Sequence, residues 1–496
     1  MARREIKPIN YVAYGLNDVL GAGSMAVVSG WILFFYTTFC GLNAVQAASI
    51  FAIARILDAV ASPLIGHVSD GLYSTKIGKR FGRRRIFLLF SIPLLPSFAL
   101  MWVNGQEYLY YLVTYVFFEL VYASVIIPYE TLAAEMTDDY KKKAKFAGAR
   151  IFTGQISAIL AGILPNWIVE IVGGKESATT FLIMGIIFAV SFMIVVFAVY
   201  WYTWERDPSE LPEKDKLADW TILGTLKELF VNLFSTLRIR AFRLHLGMYL
   251  GGYISQDIFN AAFTYFVVFA LGGSIAITSK VLGITYTAQL VAVVAAIYLV
   301  LRMPPGTTYR IAIIFYALGI IAAIAVYLSG HSAASIWLIV AMVIAGLGRG
   351  ALNYIPWSTY NYMADVDQIV TGQRREGSFA GVMTFVRKAT QSAAVMIVGF
   401  VLEAGGFTSG SETQSEHAVT TIILVLSVGP LIVLALGFWT STKFKLSAET
   451  HKVLMNEIER FKSGERSPSS AENLNIVEDL SGWRYEELWG NNNVGK

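Results

Sequence analysis

Hydrophobic residues in this chain come in long runs rather than in alternation. The stretches 10–39, 44–72, 84–104, 107–136, 144–173, 178–204, 242–271, 276–303, 308–329, 333–365, 375–405 and 417–440 are dominated by apolar positions. Each is about 20 or more residues long, the length a helix needs to cross about 30 Å of hydrocarbon. A helix closes every backbone hydrogen bond within its own segment, as a bilayer demands. Strands of a membrane barrel would be half as long and strictly alternating. Thr180–Tyr202 and Ile336–Leu347 show no such alternation. The pattern predicts twelve spanning helices, several of them long enough to tilt or to extend into water.

The polar connections give the topology. Lys and Arg concentrate in the N-terminus, 73–85, 138–145, 205–243, 302–310, 374–375 and the segment after 440. The alternate connections carry almost none, with Lys175 and Lys280 as the main exceptions. Basic connections stay on the cytoplasmic side, so both termini are expected there, in a bacterial inner membrane. Met1–Pro8 reads as a cytoplasmic leader into the first span rather than a cleaved signal. A longer polar linker, 205–241, separates an N-terminal six-helix bundle (1–204) from a C-terminal one (242–440). Its second part, Trp220–Leu237, is amphipathic, as in helices that lie along a membrane surface.

The two sets of six spans look related. Span one carries Tyr14-Gly-Leu-Asn17-Asp18 and span seven Tyr253-Ile-Ser-Gln256-Asp257. Span four ends Ile127-Pro128-Tyr129-Glu130-Thr131, and span ten ends Ile355-Pro356-Trp357-Ser358-Thr359. Spans five and eleven open Phe146-Ala147-Gly148 and Phe379-Ala380-Gly381. Matches in the same order, each displaced by six spans, indicate an internal duplication. Parallel six-span repeats are the design of the major facilitator fold, which places substrate between the halves near the midplane.

Composition agrees: 55% of the residues are hydrophobic and 15% charged, against roughly 25% charged in an ordinary soluble domain. With one cysteine, Cys40, no intrachain disulfide can form. No phosphate-binding loop, His/Cys metal cluster or catalytic triad signature is present. An enzyme, a metal centre and ATP-driven transport by this chain alone are not expected, and neither nucleic acid nor a cofactor is expected as a partner.

Charges inside the spans cost at least about 2.5–3.5 kcal/mol each on insertion scales, so each needs a reason. They are Asp18, Arg55, Asp58, Glu119, Glu130, Arg150, Asp257, Arg349, Arg387 and Lys388. Structural ion pairing competes with transport chemistry as that reason. Asp18, beside Asn17, lies far enough into span one to face a cavity. Asp58 sits mid-span with Arg55 three residues earlier on the same face. Arg150 and Lys388 occupy similar early places in spans five and eleven. Arg387 and Lys388 point about 100° apart and cannot both face one cavity. Glu130, Trp357 and Tyr354 complete the candidate binding set, the last two as aromatic faces for a sugar ring. The connection containing Asp70 and Arg83, Arg84 and Arg85, with Arg375 and Glu376 in the second half, is a candidate cytoplasmic latch between bundles. Simple topogenic charge is the alternative for these residues.

Arg55-Ile-Leu-Asp58-Ala-Val-Ala61-Ser62-Pro63-Leu-Ile-Gly66-His-Val-Ser69-Asp70, followed by Gly82-Arg-Arg-Arg, resembles the glycoside–pentoside–hexuronide:cation symporter family of the major facilitator superfamily. Arg374-Arg375-Glu376-Gly377 with Phe385-Val386-Arg387-Lys388 resembles that family's entry to span eleven, and the likeness extends over essentially the whole chain. The resemblance implies alternating access, sugar contacts at Asp18, Arg150 and Lys388, and a cation site around Asp58, with Arg55 and Ser62 beside it. Sodium-using relatives carry Asn and Asp three and four positions after the span-two acid, where this chain has Ala61 and Ser62. The sugar-binding acid of span four is replaced by Ile126, with Glu130 a turn later. These departures favour H+ over Na+ as the coupling ion.

The expected protein is a monomeric secondary symporter in lipid that imports a sugar or glycoside, with an oligosaccharide or a uronate among the candidates. A carrier of a non-sugar solute and a transport-silent sugar receptor are the alternatives. The tail, 441–496, is expected to form a short amphipathic helix through Val453, Leu454, Glu457, Ile458 and Phe461. Leu480–Trp489 is expected to dock by aromatic anchors, and the tail to be dispensable for transport.

Overall fold

The computed structural model describes residues 5–72, 75–137, 139–172, 176–206, 222–360, 362–373 and 375–492; the side chains at 67, 70, 71, 140, 144, 222, 223, 225, 226, 228, 229, 232, 376 and 377 are outside that description. The candidate latch side chains of Asp70 and Glu376 therefore lie outside the described residues.

The described chain is helical, with no strand. The principal helices are α1 (Pro8–Thr38), α2 (Ala44–Gly71), α3 (Arg85–Leu100), α4 (Tyr108–Met136), α5 (Tyr140–Ile171), α6 (Ala178–Tyr202), α7 (Arg240–Tyr265), α8 (Ile275–Val300), α9 (Pro305–Leu328), α10 (Ile336–Tyr360), α11 (Glu376–Ala404) and α12 (Glu416–Lys443). Ten helices of the described chain are long and apolar enough to cross a membrane. The two expected spans outside that set depart for physical reasons. Pro93 and Pro96 break α3 into Arg85–Ser91, the 3-10 turn Ile92–Leu94 and Ser97–Leu100. α7 is continuous but polar, carrying Arg240, Arg243, His245, Gln256 and Asp257.

Local chemistry sets several helix starts. At α2, Asn43 accepts from the Gln46 backbone N–H (2.7 Å) while the Gln46 side chain accepts from the Asn43 N–H (3.1 Å). At α5, Asp139 accepts from the Lys142 N–H (3.1 Å). Large apolar side chains such as Phe90, Ile194, Trp201, Leu301 and Trp439 are exposed on the outside. So much exposed apolar surface on many faces suits a lipid solvent, and the chain is a multi-pass membrane protein.

Helices α1–α6 meet helices α7–α12 through α1 with α7, α2 with α11, and α5 with α8. Most of the ties gather at one end. Thr37 Oγ1 lies 2.7 Å from the Tyr265 hydroxyl, Thr264 donates to Gly30 O (3.1 Å), and Glu176 accepts from the N–H groups of Ile275 and Ala276 (3.0 and 2.8 Å). The Ala44 N–H donates to Glu403 (2.9 Å). Glycine permits the closest approach: a Cβ at Gly162 would stand 2.8 Å from Gly283 N, and one at Gly399 2.4 Å from the Ala48 Cβ. This tied end is where α1 turns to α2 and α7 to α8, opposite the end that bears the linker.

Linker residues 207–221 lie outside the described residues; Ile222–Leu237 is a helix packed on α11 and α2. The tail is built into the fold. Helices Ala448–Lys462 and Ala471–Ser481 pack on the short helix Met363–Thr371 and on α7, and Leu454, Ile458 and Phe461 are buried. Trp489 stacks on Phe461 at 5.4 Å, its backbone N–H donates to Ile369 O (2.8 Å), and Arg240 pairs with Asp479. The Tyr485 hydroxyl donates to buried Glu457 (2.7 Å); its own burial, with that carboxylate, raises the phenol above its ordinary range.

Candidate functional site

A cavity of about 670 Å3 opens between the halves, lined from α1, α4, α5, α7, α8, α10 and α11. Its size suits a small solute. On the N-terminal wall a π-turn, Val19–Gly23, directly follows Asp18, an irregularity often found at functional sites. Two glycines make room for the carboxylate: a Cβ at Gly21 would stand 2.5 Å from Asp18 Oδ1, and one at Gly154 2.8 Å from Oδ2. Arg150 Nε donates to Asp18 (3.3 Å) and Nη2 to Glu130 (2.9 Å), with the guanidinium over the Tyr129 ring at 5.4 Å.

The C-terminal wall carries a related pair. Arg387 holds Asp257 with two hydrogen bonds (2.6 and 2.8 Å) and lies 4.8 Å over the Tyr253 ring. Trp357 Nε1 donates to the Tyr253 hydroxyl (3.1 Å), and 43% of Trp357 remains exposed as an aromatic face. Tyr354 also lines the cavity.

Beside the cavity lies a buried charge cluster that crosses between the halves. Lys388 of α11 donates to Asp58 Oδ2 and to Ser62 Oγ of α2, each at 2.7 Å. Ser62 donates to Asp58 Oδ1 (3.1 Å), and Arg55 pairs with Asp58 at 3.5 Å and with Glu119 at 3.2 Å. Two cations and two carboxylates balance, as burial requires. Arg55 also donates twice to Gln391 Oε1 (3.1 and 2.8 Å), while Gln391 Nε2 reaches Asp257 (3.4 Å). Gln391 lines the cavity, so one amide joins the cluster to the cavity wall.

Asp18, Arg150, Glu130, Tyr354 and Trp357 thus come together at the cavity, and Arg55, Asp58 and Ser62 in the cluster. Lys388 corrects the expectation: it belongs to the cluster, and its neighbour Arg387 takes the cavity. The two do diverge around the helix, but the inward residue is the other one. Asn17 also departs: it is fully buried off the cavity lining, with no hydrogen-bond partner for its side-chain amide among the described residues. The ion pairs described for the basic connections lie within one half, and Arg375 also donates to Ser235 of the linker helix (3.1 Å). Arg83 and Arg84 pair with Glu135 (2.6 and 3.5 Å), and Arg85 donates to Tyr200 O. Glu205 accepts from the N–H groups of all three. Arg375 holds Asp367 (2.6 and 2.9 Å).

Asp257, Arg387, Glu119, Arg349 and Gln391 were not among the expected site residues. For Asp257 the signal was present, as the duplicate of Asp18. The others needed helix rotations that periodicity in an almost wholly apolar span does not fix.

A family profile described as MFS/sugar transport protein matches residues 13–448. The glucuronide carrier protein homolog of Escherichia coli (strain K12) is 24% identical over 463 residues, covering 91% of this chain and 95% of that one. The putative glycoside/cation symporter YagG of the same organism is 23% identical over 469 residues, covering 93% and 97%. Among solved structures, a D-xylose-proton symporter shares the fold with a TM-score of 0.58 at 14% identity, over 88% of this chain and 96% of that one.

Proposed function

This chain belongs to the MFS/sugar transport family, and from that premise we propose that it is a secondary symporter importing a sugar or glycoside with a proton. The supporting observation is the Gln391 bridge, which joins a cavity wall to an ion-bearing cluster across the two halves. The similar glycoside/cation symporter agrees with that pairing of solute and ion. The protein acts as a monomer in the bacterial inner membrane, with the termini and linker in the cytoplasm by the charge rule. Ties at the far end then make this conformation inward-facing.

Asp58 carries the proton. Both of its oxygens are engaged, one by the Ser62 hydroxyl and one by the Lys388 ammonium. Protonation removes the charge that holds Lys388, so the tie between α2 and α11 loosens and the halves can rock. A sodium ion would need several oxygen ligands close together. Ala61 supplies none. Asp18, Arg150 and Glu130 bind sugar hydroxyls from one wall, and Trp357 and Tyr354 present ring faces from the other.

The test is uptake into proteoliposomes with either gradient imposed alone. An inward proton gradient is expected to drive accumulation. Accumulation with a sodium gradient at equal pH, and none with a proton gradient, would reverse the choice of ion.

A further inference from the structure

The buried cluster holds two carboxylates, and proton transport as read above uses only one of them. Asp58 has the Lys388 ammonium at 2.7 Å and the Ser62 hydroxyl at 3.1 Å. The hydrogen bonds to Glu119 of α4 come from Arg55. One guanidinium nitrogen, Nη1, donates to both Glu119 oxygens (3.2 and 3.4 Å) and, at 3.5 Å, to Asp58 Oδ2. Three oxygens thus share one nitrogen, and the nearer two belong to Glu119. The rest of the guanidinium serves Gln391, with Nε and Nη2 at 3.1 and 2.8 Å from Oε1. Arg55 is therefore drawn toward α4 and the cavity-wall amide, and away from the acid one turn along its own helix.

That placement bears on any proton taken up by Asp58. A cation in contact favours the charged form of a carboxylate, and a nearby anion favours the neutral form. Lys388 already gives Asp58 one close cation. A second, paired as closely, would hold it charged to lower pH. Glu119 opposes this twice, by occupying Arg55 and by adding negative charge to the same buried site. It also prepares the protonated state. With Asp58 neutral, Arg55 and Lys388 still face one anion; without Glu119 two buried cations would face none, which is costly. The charges facing Glu119 are Arg55 and Asp58 of α2 and Lys388 of α11. The phenols of Tyr115 and Tyr122 on α4 face Arg55, and Asp18 of α1 faces Tyr122. Gln391 leads on to the Asp257–Arg387 pair of α7 and α11. Among these described groups, Glu119 is the anion that takes Arg55 from Asp58.

We propose that Glu119 is a positioning residue for coupling: it draws Arg55 off Asp58 and so keeps Asp58 able to take a proton at the working pH. The proposal rests on Asp58 as the proton carrier and adds a second carboxylate that sets the pH at which it loads. Glu119 itself stays charged. Without it, the anion that favours neutral Asp58 is gone and Arg55 is free to favour charged Asp58, so both changes move loading to lower pH.

The test is an infrared pH titration of the full-length protein in liposomes without substrate, following the carbonyl band of protonated carboxyl groups. The Asp58 component is the part that Asp58→Asn removes, in the parent and in each Glu119 background. In Glu119→Gln, which removes the charge at nearly constant shape, the Asp58 midpoint should fall by about 1–3 pH units, the scale of an opposite charge in contact. Glu119→Asp keeps the charge farther from Arg55 and should show a smaller fall. It also carries the test if thermal unfolding shows Glu119→Gln to be misfolded. A Glu119 that only supports the fold would lower the melting temperature and leave the midpoint in place. An unchanged or raised midpoint in a folded variant would overturn the proposal and leave Asp58 as the carrier. Absence of an Asp58 component from the parent at every pH where it stays folded would remove the carrier reading and the proposal together. A component lost in Glu119→Gln but kept in Asp58→Asn would move the proton to Glu119 and overturn both.

Discussion

The two halves each set an acid from their first helix against an arginine from their fifth, and they do so differently. In the N-terminal half Arg150 is shared by Asp18 and Glu130 at 3.3 and 2.9 Å, and Glu130 is nearly half exposed. In the C-terminal half Arg387 grips Asp257 alone through two short bonds, the acid only 4% exposed. The first group carries one excess negative charge. The second is neutral in itself, with Arg349 nearby on neutral amides. A duplicated scaffold has thus become one open, acidic wall that can exchange partners and one closed wall that holds its shape. The sequence register explains part of this. Arg150 lies four residues after Phe146, and Arg387 eight after Phe379, one turn deeper into the membrane.

Substitutions in the two walls should differ in size and in kind. Arg387→Ala leaves Asp257, only 4% exposed, charged and without its cation, a loss on the scale of about 3–5 kcal/mol; a large fall in melting temperature in detergent is expected. A variant as stable as the parent would show that the closed wall is not closed. Arg150→Ala, in the wetter wall, should cost less than about 1–2 kcal/mol of stability yet weaken sugar binding about tenfold or more. Equal losses of stability in the two variants would erase the distinction between the walls. Asp18→Ala is expected to behave like Arg150→Ala in a titration calorimeter, with binding lost ahead of stability. The smallest effect is reserved for the tail. Deleting 464–496 uncovers Phe461 and Ile458, so a drop of a few degrees in melting temperature is expected, about the scale of 1–2 kcal/mol. Uptake should stay within a few-fold of the parent. A folded but inactive truncation would make the tail part of gating.

The fold was readable because long apolar runs and the placement of Lys and Arg report directly on the bilayer, and because Tyr14–Asp18 and Tyr253–Asp257 repeat in order. What resisted reading was rotation. In an amphipathic helix of a soluble protein the polar stripe marks the inward face. In α11 the outside is lipid, so Arg387 and Lys388 both had reason to point inward, and only packing against α2 and α7 decides between them. Lys388 meets Asp58 because α11 crosses α2 there. The Arg55–Asp58 pair needed no such knowledge, being local to one helix. Glu119 and Gln391 complete the cluster from other helices, and no spacing in the sequence links them.

On the proposal that Asp58 carries the coupling proton, the direct measurement compares accumulation with exchange in Asp58→Asn. Proteoliposomes loaded with unlabelled sugar report exchange of labelled sugar without a gradient, while an imposed proton gradient reports accumulation. The amide that replaces the carboxylate cannot take up and release a proton, so accumulation should vanish while exchange persists at a measurable fraction of the parent rate. Undiminished gradient-driven accumulation in Asp58→Asn would contradict that role.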